Sequence, residues 1–155
     1  MLRWLYRIAD GIRHRARLRG NTAHAWGKRG EDLAHRYLQQ QGFLIIGRNY
    51  RSRGGSAEID LIAREGDTVV FVEVKTRATD RFGAPEEAVD RAKRAKILRA
   101  AWDYLFRTEW DRDRVRFDIV SVLFGEMQRI EHIRGAFTRT SEEWEDEMSG
   151  RFRRS

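Results

Sequence analysis

Residues 57–77, AEIDLIAREGDTVVFVEVKTR, decide the fold of this chain. They predict a β-strand, a tight turn and a second β-strand, because two apolar runs flank the polar turn Glu65-Gly66-Asp67. Glycine supplies the backbone angles that such a turn needs. The second run, residues 69–72, is β-branched or aromatic at every position, which is typical of a strand covered on both faces. The stretch therefore predicts a hairpin inside a largely water-excluded sheet.

Charged side chains interrupt both predicted strands. Glu58 and Asp60 lie on the first strand, and the second ends with Glu73, Lys75 and Arg77. Because alternate residues of a strand share a face, each set projects together, and pairing of the strands would cluster the carboxylates beside an ammonium. Isolated buried charges are costly unless they are paired or bind a metal. Two interpretations follow: a buried ion-pair network in which Lys75 neutralises Glu73 and an arginine neutralises Asp60, or a site that binds a cation.

Composition bounds the class of protein. The chain has 155 residues, of which 41% are hydrophobic and 35% charged, and this predicts one small domain with a modest core and terminal extensions. It contains no cysteine, so disulfides and thiolate metal sites are excluded and the reducing cytoplasm is the expected compartment. No apolar run approaches the ~20 residues of a membrane-spanning helix. Charged residues interrupt the first apolar segment as well, so we expect neither stable membrane insertion nor a signal peptide.

The charge is unevenly distributed along the chain. Residues 1–53 contain twelve Lys or Arg and three Asp or Glu, a net charge of +9, so the remainder carries −2 of the total of +7. This distribution predicts a polyanionic partner, with nucleic acid favoured over an acidic membrane. Residues 1–21 read as a basic amphipathic N-terminal extension. That extension could lie on a membrane surface, pack on DNA phosphates or remain a solvated tail.

Periodicity and turn residues predict the first elements of a domain spanning residues 22–138. A helix is expected over residues 22–41, with Glu31 near its start, where a glutamate is commonly only a partner of the helix dipole. A short strand over residues 43–46 then leads into a loop over residues 48–55. Arginines, an aromatic residue and glycines alternate in this loop, which favours contact with phosphates.

The second half of the domain is predicted as a helix followed by two strands. Pro85, with two glutamates directly behind it, is expected to begin a helix that runs to about residue 107. Residues 115–124 and an edge strand over residues 127–133 follow, and residues 139–155 form a charged tail that we expect to be disordered. Most of the basic side chains of the helix are interpreted as an ordinary solvated face. They include Lys93, Lys96 and Arg99.

The predicted elements and the charged hairpin together resemble a known superfamily. The arrangement αβββαβ, with Asp60 on one strand and Glu73-Val74-Lys75 on the next, resembles the core of the restriction-endonuclease-like, or PD-(D/E)xK, superfamily. A longer series of segments is similar to the YraN-like family of bacterial proteins, which is regarded as nuclease-like by analogy with archaeal Holliday junction resolvases. The series comprises Gly30-Glu31, Arg48-Asn49-Tyr50-Arg51, Glu58-Ile59-Asp60-Leu61-Ile62-Ala63, Phe71-Val72-Glu73-Val74-Lys75-Thr76-Arg77, Phe82-Gly83-Ala84-Pro85 and Arg116-Phe117-Asp118.

The resemblance covers about residues 22–138 and implies an α/β fold, a central mixed β-sheet flanked by helices. One departure lies at Ser56-Ala57, because the family usually has a glycine directly before the Glu-Ile-Asp segment. The resemblance implies a DNA endonuclease that hydrolyses phosphodiester bonds and selects substrate structures such as junctions. The alternative is a non-catalytic nucleic-acid-binding protein, since a fold does not establish an activity. We expect a cytoplasmic protein with DNA as partner, and assembly as a homodimer remains open.

The same resemblance implies the residues of the site. Catalysis would depend on Asp60, Glu73, Lys75 and Glu31, and Asp60 and Glu73 would bind the metal. Mg²⁺ suits such a site because this hard ion takes one or two carboxylates together with water and substrate oxygens; Mn²⁺ is the alternative. Lys75 is expected to orient or deprotonate the attacking water, or to stabilise the transition state. Glu58 either supports Asp60 or forms a salt bridge. The nucleic-acid-binding residues would be Arg48, Tyr50, Arg51, Arg53 and Arg77.

Overall fold

The computed structural model describes residues 23–77 and 90–138. This part of the chain consists, in order, of helix α1 (residues 23–40), strands β1 (Leu44–Arg51), β2 (Glu58–Glu65) and β3 (Thr68–Arg77), helix α2 (Arg91–Thr108), and strands β4 (Val115–Phe124) and β5 (Gln128–Phe137). The strands form one mixed sheet in the order β1-β2-β3-β4-β5. The predicted α/β fold is therefore confirmed. The predicted extensions, residues 1–21 and 139–155, lie outside the described residues.

The central hairpin forms as predicted. Strands β2 and β3 pair antiparallel. In the turn between them, Gly66 has a φ of 58°, a left-handed conformation that glycine adopts without steric cost. Residues 69–72 of β3 are all buried, because β3 lies in the middle of the sheet and both of its faces are covered.

One helix covers each face of the sheet. One core cluster contains Ala34 and Leu38 of α1, and the other contains Ile97, Leu98, Ala100, Ala101 and Leu105 of α2. Phe71 of β3 belongs to the cluster under α2. Because alternate side chains of a strand share a face, Glu73 and Lys75 continue the row of Phe71 beyond the apolar core. The charged end of β3 is thus directed to the side of the sheet that α2 covers.

The crossover between β3 and β4 determines which elements meet at this charged end. β3 and β4 pair in parallel, whereas β1 pairs with β2 and β4 with β5 in antiparallel fashion. A parallel pair needs a long connection, which here contains α2. The first turn of α2 therefore follows the carboxyl end of β3 in the chain.

Strand β1 is longer than predicted. It runs over Leu44–Arg51, so Arg48, Tyr50 and Arg51 lie on a strand and not in the predicted loop. The cause is the ladder with β2, in which Arg48 pairs with Leu61 and Tyr50 with Ile59. An edge strand tolerates arginines because its outer side faces water. The loop that remains between β1 and β2 is correspondingly short, residues 52–57.

The boundaries of α2 and β5 also differ from the prediction. α2 begins at Arg91, and Asp90 is its N-cap, with the side chain accepting a hydrogen bond from the backbone N–H of Lys93 at 2.8 Å. The helix thus starts after the predicted Pro85, which itself lies outside the described residues. β5 extends to Phe137 because pairing with β4 continues as far as Phe117. Neither of the two described helices combines the length and hydrophobicity needed to span a bilayer.

Candidate metal centre and active site

Asp60 and Glu73 lie at the end of the ladder between β2 and β3. The last backbone pair on this side is Leu61↔Val72, and Asp60 and Glu73 are the next residues on their strands. Beyond this pair, the side chain of Asp60 replaces a backbone acceptor: its Oδ2 accepts a hydrogen bond from the backbone N–H of Val74 at 2.7 Å. A backbone donor therefore fixes Asp60 beside the segment that carries Glu73.

Glu73 is a buried carboxylate with two unlike oxygens. Its residue exposure is 5%. Oε1 contacts the Nζ of Lys75 at 3.0 Å and the Nζ of Lys93 at 3.2 Å. Among the described residues, no hydrogen-bond donor reaches the buried Oε2. An unsatisfied oxygen on a buried carboxylate lowers stability, so this oxygen is suited to a ligand other than the described residues.

The environment of Asp60 changes its protonation. Burial and, after it, the charge of Glu73 raise the pKa of Asp60 to about 7, although the hydrogen bond from Val74 and the charge of Lys93 oppose the rise. The cause is the cost of removing a carboxylate from water next to a second negative charge. A cation at this position would favour the ionised form and would therefore compete with the proton for Asp60.

Glu31 joins the site from helix α1. Its charge also raises the pKa of Asp60, so the two carboxyl groups are near enough to interact. The approach of α1 depends on its neighbour Gly30, which is packed against β3. A Cβ at Gly30 would lie 2.1 Å from Oγ1 of Thr76. Only a residue without a side chain permits this contact, and the contact holds Glu31 next to the charged end of β3.

The structure adds Lys93 to the site. The sequence interpretation placed Lys93 on a solvated face of its helix, and that assignment is wrong, because its ammonium contacts buried Glu73. Lys93 lies in the first turn of α2, three residues after the N-cap Asp90. A helix that follows the end of β3 brings its first turn towards that strand end. The position in the crossover, and not the helical pattern, was the signal that could have identified it.

The predicted nucleic-acid-binding residues do not form one cluster. Arg48 pairs with Asp32 at 2.6 Å, and Arg51 pairs with Glu58 at 3.4 Å. The second pair matches the salt-bridge alternative for Glu58. The side chain of Arg53 is exposed and that of Arg77 is half-buried. All four nevertheless belong to β1, the adjoining loop or the end of β3.

Tyr50 has a structural environment that the sequence did not indicate. Its hydroxyl donates to Oδ2 of buried Asp103 at 2.7 Å. The ring packs edge-on against Tyr104, with ring centroids 5.2 Å apart. Asp103 also accepts a hydrogen bond from the backbone N–H of Arg53 at 3.3 Å. These contacts join the β1–β2 loop to α2, whereas nucleic-acid binding by Tyr50 remains a prediction.

Comparison with known proteins identifies the family. The family described as "Uncharacterised protein family UPF0102" matches residues 30–122. This chain belongs to UPF0102. Its relatives include a UPF0102 protein of Solibacter usitatus (strain Ellin6076), which is 50% identical over 137 residues, covering 88% of this chain and 100% of the relative. A UPF0102 protein of Rhodococcus opacus (strain B4) is 50% identical over 115 residues, covering 73% and 96%. One of Geobacter metallireducens is 46% identical over 112 residues, covering 72% and 90%.

The resemblance to the YraN-like family, which corresponds to UPF0102, is therefore confirmed. The matched region contains Glu31 and the hairpin that carries Asp60, Glu73 and Lys75, and it also contains Lys93. The site described above thus lies entirely within the part of the chain that defines UPF0102.

The donor set of this UPF0102 site fits a hard divalent cation. In the described residues, no group of three or more His, Asp or Glu side chains is arranged to hold a metal ion. A closed site of the zinc type needs about four protein ligands, more than these residues bring together. Mg²⁺ and Mn²⁺ need less from the protein, because water and substrate oxygens complete their coordination. Asp60 and Oε2 of Glu73, which has no partner in the described part of the chain, are suitable ligands for such an ion.

Proposed function

We propose that this UPF0102 protein is a metal-dependent DNA endonuclease that hydrolyses phosphodiester bonds, with selectivity for branched substrates. The observation that carries the proposal is the buried carboxylate of Glu73, one oxygen of which has no hydrogen-bond partner within residues 23–77 and 90–138. This carboxylate lies beside Asp60 and two lysines. A purely structural ion pair would not need the second carboxylate, whose own pKa is raised by the first. A site for a cation and an anionic substrate explains both features.

The chain's own residues have distinct tasks in this proposal. Asp60 and Glu73 would hold Mg²⁺ or Mn²⁺, which when bound neutralises phosphate charge and makes hydroxide available near neutral pH. The N–H of Val74 keeps Asp60 in position. Lys75 has a side chain that is 23% exposed, so its ammonium is accessible to an attacking water or a phosphate oxygen. A positioned ammonium there would stabilise the negative charge that grows in the transition state.

DNA is the proposed substrate because positive charge is concentrated in the first third of the chain. The first 53 residues carry +9, and a field of this sign raises the local concentration of a polyanion. Lys28 and Arg36 of α1, the helix that carries Glu31, and Arg48 of β1 lie near enough to Asp32 for their charges to act on it. These residues would contact the phosphate backbone. Absence of cysteine agrees with a cytoplasmic location.

A nuclease assay with matched variants tests the proposal. Purified protein would be incubated with branched, single-stranded and supercoiled DNA in Mg²⁺ or Mn²⁺. We expect Asp60→Asn and Lys75→Ala to lower the cleavage rate at least ~100-fold, the usual contribution of a positioned catalytic group. The controls are Asp67→Asn, at the opposite end of the same hairpin, and Lys96→Ala, on the exposed side of α2. Equal cleavage by all variants would show that the activity belongs to a contaminant.

The rival function is a non-catalytic nucleic-acid-binding protein. The observation that favours it is the neutralisation of Glu73 by two lysines, which a binding protein could retain as a purely structural ion pair. It predicts strongly salt-dependent DNA binding without a metal requirement and without product. In the same assay, tight binding by the wild type with no cleavage in either metal would favour this function over the endonuclease.

A further inference from the structure

We infer that Lys93 is a substrate-binding residue that contacts a phosphate of the nucleic acid next to the carboxylate site. The inference rests on the proposed function in one respect: it takes nucleic acid as the binding partner. It does not depend on cleavage of that nucleic acid. It assigns to the first turn of α2 a role beyond that of Asp60, Glu73 and Lys75, which lie on the β2–β3 hairpin.

The geometry gives Lys93 direct access to the site. Its Nζ lies 3.2 Å from Oε1 of Glu73, and its side chain remains 35% exposed. Its backbone is fixed as well, because the N–H of Lys93 donates to the Asp90 side chain at 2.8 Å and the N–H of Arg94 donates to the Asp90 carbonyl at 2.9 Å. A lysine with a fixed backbone and a partly exposed side chain is suited to binding an anion.

Two lysines share one oxygen of Glu73. Lys75 and Lys93 both contact Oε1, and the charge of Lys93 also acts on Asp60, so these two ammonium groups balance the two carboxylates when no metal is bound. The second oxygen has no partner in the described part of the chain. If Asp60 and Glu73 bind a divalent cation, that cation balances their charge in place of the ammonium groups, and a lysine becomes available to a phosphate.

Lys93 is the better candidate of the two lysines for this contact. Its side chain is more exposed than that of Lys75, 35% against 23%. It also comes from a different element, so it approaches the carboxylates from α2 while Lys75 approaches along β3. A phosphate between the two elements would be contacted from two sides.

The salt dependence of DNA binding tests the inference. Fluorescence anisotropy with a fluorescein-labelled DNA duplex and a labelled branched DNA would be measured over a series of salt concentrations, with Ca²⁺ as the divalent ion. Loss of one phosphate contact lowers the slope of log K against log salt by about 0.9. We expect this change for Lys93→Ala and Lys93→Gln, together with a roughly 10-fold loss of affinity at low salt. Lys93→Arg, which keeps the charge, should retain the wild-type slope.

The matched control is Lys96→Ala, which removes an exposed lysine one turn further along the same helix. A slope for Lys93→Ala and Lys93→Gln equal to that of wild type or of Lys96→Ala would overturn the inference. So would a loss of thermal stability in Lys93→Gln at an unchanged slope, because that result assigns Lys93 to structure alone. The Gln variant keeps most of the side chain, so it separates the lost charge from lost packing if the Ala variant folds poorly.

The binding measurement, taken together with the nuclease assay described above, separates the inference from the proposed nuclease activity. Binding with the lower slope in Lys93→Gln but no cleavage by the wild type would support the inference and contradict the endonuclease. Cleavage by the wild type with unchanged slopes in the Lys93 variants would contradict the inference alone. Absence of any DNA binding by the wild type would overturn both.

Discussion

At the scale of single residues, Asp60 has the clearest electrostatic consequence. Burial and the neighbouring charge of Glu73 raise its pKa to about 7 from the ordinary value of 3.8. The folded protein therefore holds a proton that the unfolded chain loses between these two values. Because the unfolded state binds fewer protons in this window, the free energy of unfolding falls as the pH rises through it. The metal-free site thus opposes folding at neutral pH and favours it in mild acid.

Substitution of Asp60 tests this argument. Asp60→Asn keeps an oxygen that can accept the hydrogen bond from Val74 but cannot ionise. We expect its free energy of unfolding to exceed that of wild type by about 1–3 kcal/mol at a pH of about 8, and the difference to disappear at a pH of about 4. Urea denaturation without divalent metal measures both values. Asp67→Asn, an exposed control, should show no such trend, and a difference for Asp60→Asn that is independent of pH would contradict the argument.

The carboxylates and one lysine could be predicted from the sequence because the relevant pattern is local. Asp60, Glu73 and Lys75 interrupt apolar strands, and the two-residue period of a strand determines which side chains share a face. Lys93 could not be found in this way. Its contact with Glu73 depends on how α2 packs across the sheet, whereas a basic residue on a helix is ordinarily solvated. The pattern of a single element contains no information about such a contact.

At the scale of elements, the approach of α1 to β3 depends on one glycine. Gly30 lies where a Cβ would come within 2.1 Å of Oγ1 and 3.3 Å of Cβ of Thr76. Rotation of the Thr76 side chain could move the hydroxyl, but the Cβ of Thr76 can move only together with the backbone of β3. A methyl group at Gly30 would therefore displace the helix. Glu31, the next residue, would move with it.

The corresponding prediction concerns Gly30→Ala. Overpacking is expected to lower the free energy of unfolding by about 1–3 kcal/mol and to reduce cleavage through the displacement of Glu31. Gly27→Ala is the matched control on the same helix, since nothing lies within 4 Å of its Cβ position. Replacement of glycine inside a helix should stabilise that variant by about 0.5–1 kcal/mol. Thermal denaturation and the cleavage assay provide the two measurements.

A second substitution checks the mechanism of this effect. Thr76→Ala removes the hydroxyl that the new methyl group would meet, so it should restore part of the stability and activity of Gly30→Ala. The two changes would then be non-additive, as expected for residues in contact. Additive effects would mean that the Gly30–Thr76 contact does not set the position of α1.

Elements were predicted well where apolar periodicity dominates and less well at the edge of the sheet. The hairpin and β4 have buried residues throughout their central positions, so their patterns specify strands. β1 carries Arg48, Asn49 and Arg51, a polar composition that indicates a loop. Pairing with β2 nevertheless extends the strand to Arg51. Edge strands are specified by their neighbour more than by their own composition.

At the scale of the whole molecule, a buried polar network connects distant parts of the sheet. Asp118 on β4 is 1% exposed. Its oxygens accept hydrogen bonds from Arg116 at 2.8 and 3.0 Å and from the backbone N–H of Gly135 at 2.9 Å, and one of them lies 2.8 Å from Nε2 of His132. Arg116 also contacts Glu65 at the end of β2 at 2.7 Å. The network thus joins β2, β4 and β5 on the far side of the sheet from Lys93.

The protonation of Asp118 follows from these contacts. Burial raises its pKa, but the hydrogen bonds from His132, Arg116 and Gly135 outweigh burial and hold the pKa below the ordinary value of 3.8. A folded-state pKa below that of the unfolded chain contributes stability above the unfolded value. This contribution is lost as the pH falls through the lower, folded value. The network should therefore weaken only in strong acid, the opposite of the behaviour of Asp60.

Removal of the carboxylate tests the contribution of the network. Asp118→Ala leaves the backbone N–H of Gly135 without its acceptor, while Arg116 keeps its contact with Glu65, and we expect the free energy of unfolding at neutral pH to fall by about 1–3 kcal/mol. The difference from wild type should shrink below a pH of about 4. Asp67→Ala provides the control. The side chain of Asp67 is 84% exposed, and its surface ion pair with Arg114 contributes at most about 1 kcal/mol. Urea denaturation over a range of pH measures all three proteins. A loss for Asp118→Ala no larger than that of the control would mean that the network does not hold β5 to the sheet.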